Sequence, residues 1–241
     1  MSATPTTTAA NNEAVFWHPL ESNPEAMNQF AHTLGLSQAW AYADILTLED
    51  ELLCMVPSPC HAVLLLFPIT DNYEAFCREE SERIARDGQR ISPNIYYMRQ
   101  TIRNACGTYA VLHSLANNQD RVGLDAGPLK EFFETTSSLS PEERSERLKH
   151  TRAIAEAHIQ SAHIGQTATP EANAALDLHF ICFVERDGDL YELDGRKTQP
   201  INHGPCTDLL KGAAKVVRDF MARDPDQVQF TLMALASNET D

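Results

Sequence analysis

Positive charge is scarce in this chain: 19 Lys and Arg face 34 Asp and Glu over 241 residues, a formal net charge of −15. Such a balance excludes a surface built to hold nucleic acid or an anionic membrane, and it favours a basic protein or peptide as partner. The six cysteines, Cys54, Cys60, Cys77, Cys106, Cys182 and Cys206, include no Cys-x-x-Cys pair and no dense cluster, which excludes a disulfide framework. No stretch reads as a signal peptide or an uninterrupted apolar span, so a reducing cytosol is the expected setting, with the nucleus as a second compartment. Internal repeats are also lacking, which excludes a solenoid. The start, "MSATPTTTAANN", is too poor in apolar residues to offset the entropy of ordering, and residues 1–12 are expected to be disordered. The whole chain is 43% hydrophobic, and what remains, 13–241, is long enough for one well-cored domain.

Helix signals are clear in several places. Asn23 as N-cap, Pro24 at the first helical position and Gly35 as terminator mark one helix. A second runs from Thr70 or Asp71 to Gly88, and a third through "CTDLLKGAAKVVRDFMARDP" to a stop before Pro225. Ser140, Pro141 and Glu143 start a long helix through "SPEERSERLKHTRAIAEAHI", and Thr47 starts a shorter one through "TLEDELLCMV". The run 61–67 is too short for a buried helix and reads as a central strand. "IYYMR", "LHFICFVE", "LYELDG" and "QFTLMALA" also read as strands. Without a regular βαβ repeat, the expected class is α+β with a largely antiparallel sheet. Residues 158–177 read as an unusually long loop, of the kind that forms lids and binding elements.

Chemistry converges from three segments. In "FICFVERDGDLYELDG", Asp187-Gly188 is a strong two-residue hairpin signal. With that turn, Cys182 faces Leu193 and Ile181 faces Asp194, so Asp194 lies diagonal to His179 on the same sheet face. A carboxylate in that place orients the imidazole for proton transfer. Cys106 opens the helical segment "CGTYAVLHSLAN", where unpaired N–H groups and the helix dipole favour a thiolate. Gln100, six residues earlier, and a backbone N–H at the helix start can receive an oxyanion. Taken alone, Cys106 also fits a small buried hydrophobe, and the His179–Asp194 pair also fits a structural contact. His113, His163 and His203 lack the partners of a second base or a metal site.

Together, "QTIRNACGT", "LDLHFI" and "LYELDGRK…PINHG" closely resemble the ubiquitin carboxyl-terminal hydrolase family of cysteine peptidases, over nearly the whole chain after its first residues. The resemblance implies a papain-like fold, an antiparallel sheet surrounded by helices, with a knotted backbone and a crossover loop at about 161–177 over the active site. It implies Cys106 as nucleophile, His179 as general base and acid, Asp194 as orienting carboxylate and Gln100 as oxyanion donor. It further implies cleavage after the terminal glycine of ubiquitin, or of a close ubiquitin-like modifier, through an acyl-enzyme thioester, with no metal or organic cofactor and as a monomer. Small or unfolded leaving groups would pass the crossover loop. Trp17, Pro19, Leu20, Glu21 and Asn23, with Asp44, Leu178 and Val228, become candidates for binding ubiquitin, whose Arg-Leu-Arg-Gly-Gly tail suits an acidic chain. A ubiquitin-binding protein that stabilises the free monomer with little turnover, and an acyl transferase using an amine in place of water, are the competing readings.

Overall fold

The computed structural model describes residues 17–164 and 177–238. The expected disordered start, and the crossover-loop positions 165–176, lie outside the described residues. Six strands form one sheet: β1 (Trp40–Asp44), β2 (Cys60–Pro68), β3 (Leu178–Arg186), β4 (Asp189–Leu193), β5 (Ile201–Pro205) and β6 (Thr231–Ser237). Their order is β1-β6-β2-β3-β4-β5, and each neighbouring pair is antiparallel. The apolar run 61–67 is interior, as its continuous hydrophobicity requires.

Seven α-helices cover the two faces: α1 (Pro24–Thr33), α2 (Asp71–Asp87), α3 (Cys106–Ala116), α4 (Pro128–Thr136), α5 (Pro141–Lys149), α6 (Arg152–Ala162) and α7 (Leu209–Arg223). Strand alternation separates two cores. Phe180, Cys182 and Val184 of β3 join residues of α1, α3, α4, α5 and α6 on one face. Ile181 and Phe183 join Tyr73 of α2 and Leu209, Ala213, Val217 and Phe220 of α7 on the other. Asn23, Thr70 and Asp208 cap α1, α2 and α7, and Ser140 with Glu143 closes a capping box on α5.

The structure corrects three expected elements. The long helix from Ser140 is two, because the chain turns at His150 and Thr151 between α5 and α6. The helix from Thr47 is only a 3-10 turn at Leu53–Met55; Thr47 turns the chain by accepting the Glu49 N–H, and Leu46, Leu52 and Met55 find no core to bury in. "IYYMR" is extended but joins no sheet. Side chains and loops satisfy its backbone instead: Tyr96 N–H donates to Asn117 Oδ1 (2.7 Å), Met98 N–H to His113 Nε2 (3.0 Å) and Arg99 N–H to the Pro141 carbonyl (3.2 Å).

Two buried histidines of this framework are held neutral. His158 donates from Nε2 to the His18 carbonyl (2.6 Å) and accepts from the Thr108 hydroxyl at Nδ1 (2.7 Å), while its ring lies 4.5 Å from that of Trp17. It thereby ties the segment at Trp17 to α3 and α6. His113 accepts the Met98 N–H and stacks on Tyr97, with ring centroids 5.3 Å apart. Burial lowers both to about 4. The unfolded chain therefore binds more protons than the fold between the ordinary histidine value and about 4, so this stability is complete above pH ~6.5 and drains away on acidification. Each histidine is expected to withdraw about 2 kcal/mol by pH ~5. Urea midpoints at pH 7 and 5 check this, and equal midpoints would contradict it.

Candidate active site

Asn104, in the left-handed region at φ 61°, turns the chain into α3, and Cys106 occupies the first helical position. Its side chain is partly exposed in a cleft of about 480 Å³, lined also by Gln100, Asn104, Leu178, His179 and Arg196. The helix starts without a side-chain cap, and the Gly107 N–H bonds to the Cys106 sulfur. Gly107 leaves close quarters beside the thiol: a Cβ there would lie 3.2 Å from Leu20 and 3.4 Å from Phe180, so those side chains would have to shift by a few tenths of an ångström.

The hairpin has the expected register. Asp187 and Gly188 both take positive φ, Cys182 pairs with Leu193, and His179 Nε2 donates to Asp194 Oδ1 at 2.7 Å. That bond leaves Nδ1 for the thiol. Asp194 Oδ1 also accepts the Arg196 N–H (2.8 Å), and Oδ2 accepts the Tyr73 hydroxyl (2.8 Å). Buried among these donors and beside the imidazolium, Asp194 is held far below the usual carboxylate range despite its desolvation.

Burial alone would lower His179 and raise Cys106; their mutual attraction reverses both. Against desolvation, the Asp194 charge and hydrogen bond, followed by interactions with Cys106, raise His179 to about 9. Against its own desolvation, Cys106 is lowered by hydrogen bonding to His179, by the imidazolium charge and by the N–H groups of Phe180 and Gly107. The site thus favours a thiolate–imidazolium pair, whose two protons titrate as a coupled unit. For His179 the linkage runs opposite to that of the neutral histidines. Its raised value contributes stability that is complete below pH ~6.5 and lost as pH climbs through about 9.

Gln100 sits on the cleft wall, with its Nε2 donating to the Ile102 carbonyl (3.1 Å) and its backbone N–H to the Gly195 carbonyl (2.8 Å). A Cβ at Gly195 would lie 2.8 Å from Gln100 Cβ and 3.1 Å from its nitrogen. The glycine after Asp194 therefore lets the Gln100 backbone and Cβ approach this turn closely. Gly195→Ala is expected to lower kcat about 10- to 100-fold with little change in KM, by displacing the Gln100 donor; steady-state kinetics at neutral pH check it.

The remaining candidates are spread out. Trp17 and Leu20 are buried and do not line the cleft; Trp17 N–H donates to the Arg103 carbonyl (3.1 Å), its ring packs on His158, and Leu20 lies beside Gly107. Pro19 and Glu21 are half-buried beside them, and Asn23 caps α1. Leu178 lines the cleft, Asp44 is exposed at the end of β1, and Val228 is 86% exposed before β6. His203 bonds to Glu192 (3.0 Å), and the His163 ring lies 5.8 Å from that of His18.

Sequence patterns did not reveal Tyr73, or the buried ion cluster behind Asp194, in which Lys197 Nζ meets Glu80 and Glu192, each at 2.6 Å. Period-two alternation offered a signal for Glu192, which shares the Asp194 face. Tyr73 lies on a distant helix and had none.

The chain matches known proteins in sequence and in fold. A family model described as ubiquitin carboxyl-terminal hydrolase, family 1, matches residues 17–222. A Drosophila melanogaster ubiquitin carboxyl-terminal hydrolase is 46% identical over 223 residues, covering 92% of this chain and 97% of that protein. The human ubiquitin carboxyl-terminal hydrolase isozyme L1 is 43% identical over 220 residues, covering 90% and 96%. In fold, the catalytic domain of Trichinella spiralis UCH37, solved bound to ubiquitin vinyl methyl ester, superposes with a TM-score of 0.72 at 24% identity, covering 92% of this chain and 96% of that one. Among the described residues, no helix is long and apolar enough to cross a membrane.

Proposed function

Since the chain belongs to family 1 of the ubiquitin carboxyl-terminal hydrolases, we propose that it cleaves the bond after the C-terminal glycine of ubiquitin, with Cys106 as nucleophile. The observation that carries this reading is the 2.7 Å His179–Asp194 bond beside a cleft-lining thiol at a helix start. The Cys106 thiolate attacks the glycine carbonyl carbon, and the oxygen takes up the displaced electron pair. The Cys106 N–H and the Gln100 amide receive that oxyanion. As it collapses, the carbon–nitrogen bond breaks, and His179 gives its proton to the leaving amine, producing a thioester. Water then adds to the thioester, with His179 as base, releasing the carboxylate of ubiquitin and restoring the thiol.

Asp194 holds the ring and its charge throughout, which explains why its carboxylate is saturated with donors. The net charge of −15 suits the two arginines of the ubiquitin tail, and Glu21, Asp44, Leu178 and Val228 are the accessible candidates for contacting it. Cytoplasmic residence fits a catalytic free thiol.

Labelling with a ubiquitin C-terminal electrophile, followed by mass spectrometry, tests this reading. An adduct on Cys106 is expected. An adduct confined to Cys54, Cys77 or another cysteine, or no adduct with an active probe, would overturn it.

A further inference from the structure

The Asp194 carboxylate is held from three directions, and one donor comes from outside the β3–β4 hairpin and the turn that follows it. Tyr73 stands in the first turn of α2, where its backbone N–H donates to the capping Thr70 hydroxyl (3.1 Å). Its ring is 3% exposed and packs edge-on against Phe67, with centroids 4.8 Å apart, and near Phe220. Its hydroxyl donates to Asp194 Oδ2 at 2.8 Å, on the oxygen that His179 does not use. The side chain is thus fixed at its backbone, ring and hydroxyl.

We infer that Tyr73 is a positioning residue that sets the proton affinity of His179 through Asp194, by drawing carboxylate charge away from the ring. This rests on the hydrolase reading of the site. The physical argument compares the two protonation states of the ring. A hydrogen bond to Oδ2 stabilises the carboxylate in both, but more when the imidazole is neutral and no cation shares the charge. Tyr73 therefore favours proton release from His179, which is what the leaving amine requires. Burial and the Asp194 and Glu192 charges keep the phenol well above its ordinary value, so it remains a donor.

The other charged or titratable groups facing this pair are accounted for. Cys77 comes from α2; Tyr97, whose hydroxyl donates to the Asp194 backbone carbonyl (2.6 Å), comes from the segment before α3; Cys106 and the neutral His113 come from α3; Glu192 comes from β4; and Arg196 and Lys197 come from the following turn. Phe67 and Phe220 supply only ring contacts. A cavity of about 430 Å³ lined by Tyr73, Cys77, Asp194 and Lys197 reaches the carboxylate from the α2 side. A Tyr73→Phe variant keeps the ring packed against Phe67 and Phe220 and removes only the hydroxyl donor.

The test uses the full-length protein and NMR titration of labelled histidines, with the His179 signal assigned by its loss in His179→Gln. In the wild type its midpoint is expected near pH 9. In Tyr73→Phe it moves up by about half a pH unit or more, the alkaline limb of kcat/KM moves with it, and kcat at neutral pH falls about 3- to 10-fold with KM unchanged. Fluorotyrosine at position 73, a stronger donor that preserves the ring, moves the midpoint down. An unshifted or lowered midpoint in a folded Tyr73→Phe protein overturns the inference, as does an unshifted midpoint with fluorotyrosine. The titration needs no turnover: a shifted midpoint in a chain that fails to hydrolyse ubiquitin derivatives would sink the hydrolase reading and leave the coupling standing.

Discussion

Replacing Cys106 with alanine is expected to reduce hydrolysis of a fluorogenic ubiquitin C-terminal amide by about 10⁴-fold or more, equivalent to ~5.5 kcal/mol of transition-state stabilisation. The loss should fall on kcat, because the thiol forms a bond to substrate whereas the rest of the cleft wall stays in place. Gln100, Leu178 and His179 do not depend on the sulfur for their backbone positions, and Gly107 keeps the helix start open against Leu20 and Phe180. Affinity for ubiquitin measured by calorimetry is therefore expected to change by no more than about twofold, because that binding is not routed through the reacting atom. Alanine also removes one of the groups that favour the imidazolium, so the His179 midpoint should fall from about 9 while Asp194 still holds it up. Retention of substantial turnover in Cys106→Ala would transfer the chemistry to another residue. Loss of affinity together with turnover would mean that the thiol shapes the binding site.

The second large effect is expected from Asp194→Asn. An asparagine fits the pocket: its oxygen can accept from His179 Nε2 and the Arg196 N–H, and its amide nitrogen can donate to the Tyr73 oxygen. Orientation survives and charge does not. His179, buried and deprived of the carboxylate, should then titrate below its ordinary value in place of about 9. At neutral pH the imidazole is neutral and the thiol keeps its proton. The expected outcome is a loss of about 10²- to 10³-fold in kcat/KM, with a matching loss in the rate at which iodoacetamide alkylates Cys106. The two assays together are diagnostic, because alkylation reports the thiolate without requiring ubiquitin. If alkylation at pH 7 is unchanged, the ion pair does not depend on Asp194 charge and the electrostatic account of the site is wrong.

The parts of this site visible in the sequence were those governed by local rules. Asp187-Gly188 fixes a turn, the turn fixes a register, and the register brings His179 to Asp194. Cys106 was legible because a helix beginning is a local event. The caps at Asn23, Thr70 and Ser140 were legible for the same reason. Where local signals were weak, elements went unseen. β5 is an edge strand that contains Gly204 and Pro205, and β1 is a five-residue edge strand with two alanines. α4 begins after Gly127 with no side-chain cap and carries two threonines at its end. "IYYMR" misled in the other direction: its composition suits a strand, but Asn117 and His113 of the neighbouring helical layer had already met its donors. Tyr73 belongs to a further class, since its partner lies 121 residues away and only the completed fold brings them together.

The two-residue turn at Asp187 and Gly188 has a wider consequence. Asp194 lies six positions beyond Gly188, a span of about 20 Å along an extended chain, yet parity is conserved over the whole distance. A residue added at that tip leaves Asp194 beside His179 when a longer loop or a bulge absorbs it, whereas a slip of the two strands by one position turns the acid to the far side of the sheet. Loops usually tolerate insertions of any length. Here tolerance is conditional: lineage variation and engineering alike can lengthen this tip as long as Cys182 still pairs with Leu193, and a reporter peptide grafted there must leave that pairing in place to leave the enzyme working.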